Sequence, residues 1–98
     1  MRLKVLVVED DREIRAMMQS SLSVEGFEVR TAVSLSEARA LVQHAPPDVI
    51  VLDLGLPDGD GVELVQQVRQ TQTLPIIIVS ARHQEAQKIR LLDAGADD

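Results

Sequence analysis

Four short runs of β-branched and aliphatic residues recur along the chain, each followed by a stretch whose apolar residues fall at helical spacing. No other feature restricts the fold as much. Leu3–Val8 (LKVLVV) reads as a strand buried on both faces. Asp11 can cap a helix running to roughly Val24, with Ile14, Met17, Met18 and Leu22 on its apolar side and Gly26 as its stop. Phe27–Ala32 alternates like a second strand. Ser34 or Ser36 can cap a second helix over about Leu35 to His44, which Pro46-Pro47 ends. Val49–Asp53 is the third strand, and a helix follows from about Gly61 to Gln70 with Val62, Leu64, Val65 and Val68 as its apolar positions. Pro75 opens a fourth strand, Ile76–Ser80, and a fourth helix spans about Gln84 to Ala94, stopped by Gly95.

Strands alternating with helices imply an α/β fold: a parallel sheet with helices on both faces and right-handed crossovers. In such sheets ligands bind at the carboxyl ends of the strands, near a switch in strand order. The chain of 98 residues makes one domain. Its apolar fraction of 45% includes a single Phe and neither Trp nor Tyr, so the core must be aliphatic. The lack of Cys excludes disulfides and thiolate metal sites and suits a reducing cytoplasm. No apolar stretch is long enough for a signal peptide or a membrane span. A formal charge of −6, with the basic residues spread along the sequence, argues against direct binding of nucleic acid.

The strand ends carry the chemistry. Strand one ends in Glu9-Asp10-Asp11, strand three in Asp53, and strand four in Ser80-Ala81-Arg82. Asp11 reads more readily as a turn residue or helix cap than as part of such a site. Carboxylates converging at one sheet edge repel one another and raise each other's proton affinity unless a cation neutralises them. Hard oxygen ligands without Cys or His favour Mg²⁺, which keeps several waters and takes one or two carboxylates. His44 and His83 lack metal-ligand spacing and read as surface residues. A dehalogenase-type phosphatase wants a second Asp two residues after the first, where this chain has Gly55. A phosphate-cradling loop wants glycines after strand one, where acids stand.

Taken in order, "VVEDD", "VLDLGLPDGDG", "IIIVSAR" and "AGADD" resemble the receiver domain of bacterial two-component response regulators of the OmpR/PhoB class. The phrase "DLGLPDGDG" looks like that of potassium-transport operon regulators. The resemblance implies a flavodoxin-like (CheY-like) sheet of order 2-1-3-4-5. It makes Asp53 the phosphoacceptor, attacking a phosphoryl group carried by a sensor histidine kinase. Mg²⁺ is expected on Glu9, Asp10, Asp53 and the backbone carbonyl of Gly55, with Asp10 binding directly and Glu9 through water. Ser80 corresponds to the hydroxyl that bonds a phosphoryl oxygen, beside the small Ala81. Gly55 and Arg82 occupy positions that modulate hydrolysis of the acyl phosphate. Pro57 and Gly61 read as turn residues without chemical roles. Such a domain is a slow switch rather than an enzyme.

Four of the family's five βα units are present, so residues 1–98 are expected to be a C-terminally truncated receiver domain with no DNA-binding domain in this chain. The aromatic switch residue and the phosphate-pairing Lys of the family are expected beyond Asp98. For these residues alone the expectation is Mg²⁺ binding with weak or no stable phosphorylation. Strand four, without a fifth beside it, would be an apolar edge open to pairing. In the intact protein, Lys88, Asp97 and Asp98 match positions of a homodimer formed through the helix-four face, or belong to a solvated face. DNA is expected as a partner only through a C-terminal domain outside this chain, and no membrane is expected. Met17 reads either as a partly buried core residue, the better account, or as a kinase contact. A receiver-like interaction module that is not phosphorylated is the alternative function.

Overall fold

The computed structural model of the chain describes residues 2–53, 56, 59, 61–71 and 73–78. Its elements run β1 (Lys4–Val8), α1 (Arg12–Val24), β2 (Glu28–Ala32), α2 (Leu35–His44), β3 (Val49–Leu52), α3 (Gly61–Thr71) and β4 (Ile76–Ile78). The four strands form one parallel sheet in the order β2-β1-β3-β4. The chain therefore leaves β1 in one direction to reach β2 and returns past it to β3, which puts the switch in strand order beside β1. The expected fourth helix, and any strand beyond β4, lie outside the described residues.

The helix boundaries follow their capping chemistry. The Asp11 side chain accepts the Ile14 N–H at 3.0 Å, so Asp11 is the cap of α1. At the other end Gly26 adopts φ +96°, and the N–H of Phe27 returns to the Leu22 carbonyl at 3.2 Å. Of the two serines that could start α2, Ser34 does so, accepting the Glu37 N–H at 3.2 Å. Asp48 ties the entry of β3 to β1, its amide donating to the Lys4 carbonyl and its carboxylate accepting the Lys4 amide at 2.7 Å. After α3, the Arg69 guanidinium donates to the Leu74 carbonyl and closes the turn into β4.

Alternation along the strands divides the sheet into two faces. Leu6, Val8, Ile50, Leu52 and Ile76 join Leu35, Ala38 and Val42 of α2 and Val62, Leu64, Val65 and Val68 of α3 in one aliphatic core. The opposite face carries Val5 and Val7, which are buried, and Val51 and Ile77, which line a groove with Met17, Met18 and Leu22 of α1. Helix α1 buries none of its residues fully. Met17 is 60% exposed, so the expectation that it is a partly buried core residue is wrong. The reason is lateral placement: α1 packs against β1 and β2, and Met17 faces along the sheet toward β3 and β4. Among the described residues, no helix is long and apolar enough to cross a membrane.

The loop after β3 is anchored by two residues. Leu56 is buried in the core beneath α2 and α3. Gly59 adopts φ +153°, and a Cβ there would stand 2.8 Å from Leu35 Cδ1. Gly61 opens α3, where the sequence put the start of that helix, and is buried, and Gly59 just before it takes a positive φ. Leu35 is fully buried and cannot swing aside, so Gly59→Ala meets both backbone strain and a clash. It is expected to lower the unfolding free energy by about 1–3 kcal/mol in urea titrations, with the secondary structure retained.

Candidate functional site

Parallel pairing places three acids together. Val8 pairs with Ala32 on one side and Leu52 on the other, and the ladder runs one bond further on each flank. The Glu9 amide donates to the Ala32 carbonyl and the Asp53 amide to the Val8 carbonyl, each at 2.9 Å. Glu9 and Asp53 thus leave the sheet as neighbours at the carboxyl ends of β1 and β3. Asp10 follows on the more open side. One carboxylate oxygen from each of Glu9, Asp10 and Asp53 lies within 4.8 Å of the others.

The cluster is half hidden. Glu9 is 4% exposed and Asp53 8%, and these two are the buried charged residues among those described. Glu9 accepts the Asp11 N–H at 3.2 Å, the bond that links the cluster to the cap of α1. Burial pushes the Glu9 carboxyl from 4.5 up to about 7, with the Asp53 and Asp10 carboxylates adding to the rise and the Asp11 amide opposing it. A buried carboxylate driven toward its neutral form beside two other acids is a site whose charge a cation would balance. The donor set is oxygen alone, which suits a hard divalent ion.

The arrangement has close counterparts. Residues 5–98 match the pattern of the response regulator receiver domain. This chain belongs to the response regulator receiver family. Over 94 residues it is 46% identical to the KDP operon transcriptional regulatory protein KdpE of Escherichia coli K12, and over 98 residues 43% identical to the transcriptional regulatory protein KdpE of Staphylococcus aureus. These matches cover 96% and 100% of the chain but 42% of each relative, so the chain spans about two fifths of their length. Among solved structures, a CheY-like response regulator receiver domain protein from Methanospirillum hungatei superimposes with a TM-score of 0.93 at 28% identity. That superposition covers 99% of this chain and 78% of the other. The expected flavodoxin-like fold and family therefore hold.

Within this receiver domain, the acids predicted from the strand ends are the acids that meet. Asp11 stands apart from them as a cap, resolving the choice its sequence left open. Gly55, Ser80, Ala81, Arg82, Lys88, Asp97 and Asp98 lie outside the described residues, as does His83. His44 is exposed at the end of α2, as expected. Sequence reasoning missed Arg15, whose Nη1 donates to the carbonyls of Glu9 at 3.1 Å and Asp10 at 3.2 Å.

The raised Glu9 value has a definite sign. The folded state holds the Glu9 proton more tightly than the unfolded chain, so stability is fully present below pH 4.5 and declines as pH rises to about 7. The full difference is on the order of 3 kcal/mol. Glu9→Gln keeps an acceptor for the Asp11 amide and removes the ionisation. In urea unfolding without divalent ions, it is expected to exceed the wild type in stability at pH 8 by up to that amount, and to lose the decline between pH 5 and 7.

Proposed function

We propose that this domain is the phosphoacceptor of a two-component response regulator, with Asp53 as the residue phosphorylated. The observation that carries this reading is the position of Asp53: a nearly buried carboxylate at the end of β3, grouped within 4.8 Å with Glu9 and Asp10. The sheet fixes its main chain through the bond to Val8, while the carboxyl end of the sheet leaves its oxygens reachable. A carboxylate held this way has no freedom to lose when it meets a phosphoryl group.

In the proposed transfer, an Asp53 carboxylate oxygen forms a bond to phosphorus as the bond from phosphorus to the kinase imidazole nitrogen breaks. The electron pair leaves with the nitrogen, and the product is an aspartyl phosphate. Glu9, Asp10, Asp53 and the Gly55 carbonyl would hold Mg²⁺. Bound there, the ion supplies positive charge against the crowded carboxylate and phosphoryl oxygens. Glu9, pushed toward protonation in the free site, would give up its proton on cation binding, so affinity would rise with pH through about 7.

Ser80 and Ala81 complete the phosphate pocket in this reading, and Gly55 and Arg82 set the rate of hydrolysis. The donor is a sensor histidine kinase, and the location is cytoplasmic. In the complete protein, phosphorylation would promote a homodimer through the helix-four face with Lys88, Asp97 and Asp98, and a C-terminal domain would carry DNA binding and transcriptional control. The transcription-regulator names of the 43–46% identical relatives support that last step.

The test is incubation of the complete protein with acetyl phosphate and Mg²⁺, read by mass and by acid-labile phosphate. Wild type is expected to gain one phosphoryl group. Asp53→Asn is expected to lose labelling by about two orders of magnitude or more, since the amide is not a nucleophile. Equal labelling of the two would favour the unphosphorylated interaction module.

A further inference from the structure

Two successive carbonyls of the acidic turn point at one nitrogen. The Arg15 Nη1 donates to the Glu9 carbonyl at 3.1 Å and to the Asp10 carbonyl at 3.2 Å. The main chain of Arg15 adds a bond from its amide to the Asp11 carbonyl at 2.9 Å. The Asp11 amide in turn donates to Glu9 Oε2, and the Asp11 carboxylate holds the Ile14 amide. Glu9 is already tied to β2 through its own amide. Between the last residue of β1 and the first turn of α1, the guanidinium thus fixes the peptide planes on either side of Asp10. Fixing those planes fixes the Cα–Cβ directions of both acids, and with them where the carboxylates stand.

We infer that Arg15 is a positioning residue: it holds the Glu9–Asp10 main chain and thereby sets the affinity of the acidic cluster for a divalent cation. The inference rests on the cation reading of the site given above. It differs from a charge-balancing role, because Arg15 makes no ion pair with either acid among the described residues and its Nη1 donates to carbonyl oxygens. The two N–H groups of the one Nη1 bridge the adjacent carbonyls, at the reach that a full-length arginine side chain provides. Partners that orient ligands from behind commonly change metal affinity when removed.

The two roles predict opposite signs. Deleting a positive charge near a cation site strengthens cation binding by Coulomb's law, whereas loss of positioning weakens it. Mg²⁺ alone is titrated into the complete protein by calorimetry, comparing wild type, Arg15→Met and Val42→Ala. Val42 is a core residue of α2 that loses packing without touching the acidic turn. Arg15→Met is expected to bind Mg²⁺ about tenfold more weakly, with Val42→Ala unchanged. Hydrogen exchange at the Asp11 amide is expected to quicken in Arg15→Met before any ion is added. Equal or tighter binding by Arg15→Met overturns the inference, as does equal weakening by Val42→Ala. If Arg15→Met fails to fold, Arg15→Lys serves in its place: it keeps the charge, but its ammonium stops one bond short of the Nη1 position, so it is expected to bind more weakly, and wild-type affinity there overturns the inference. Failure of the wild type itself to bind Mg²⁺ removes the cation reading and this inference with it, an outcome distinct from the others.

Discussion

The parallel register of β1 with β3 forces two like charges together. Once Val8 is paired with Leu52, the next residues on each strand are Glu9 and Asp53, and neither can turn away without breaking a ladder bond. The chain then adds Asp10 to the same place. Self-repulsion and burial oppose this arrangement, and the raised proton affinity of Glu9 records that opposition. The fold tolerates it because the aliphatic core below supplies the stabilisation and because the adjoining turn is tied by the Asp11 amide and by Arg15. The site is therefore strained in its charges and rigid in its backbone, a combination suited to receiving a cation and an anionic group in succession.

Rigidity comes from both flanks. On the β1 side, Asp11 and Arg15 occupy the main-chain groups of the turn. On the β3 side, Leu56 sinks into the core and Gly59 lies against Leu35 of α2. The Arg39–Glu63 pair at 3.3 Å links α2 to the first turn of α3, although its exposure makes it a minor contributor. Three of the elements around the site thus meet through packing, and the acids ride on them.

Much of this was legible in the residues because strands and caps are local. The β-branched runs located the four strands, and the spacing of Val62, Leu64, Val65 and Val68 located α3. Asp11 and Gly26 marked both ends of α1. The acids could be read because an Asp closing a run such as Val49–Leu52 is out of place in a buried strand. Tertiary geometry was harder to read. Met17 has the spacing of a core residue, but whether the sheet reaches under it depends on where α1 lies across β1 and β2, and no local pattern encodes that. Gly59 and Gly61 stand two residues apart, and nothing local in the sequence singles out Gly59 as the one with a positive φ and a close approach to Leu35. Arg15 bonds to carbonyls, which every residue has, so its partners leave no mark in the amino-acid pattern.

The Asp11 amide and the Arg15 guanidinium tie the start of α1 to the acidic turn. Helix α1, 13 residues long, is a rod of about 20 Å. Its inner end is fastened to an acid of the site, and its outer end, at Val24, stands in solvent. None of its residues is fully buried, whereas α2 and α3 each bury several. A tilt of about three degrees at Asp11 sweeps the far tip through about 1 Å. Any tilt of α1 that followed a change among the three acids would therefore be largest at the exposed end of the helix.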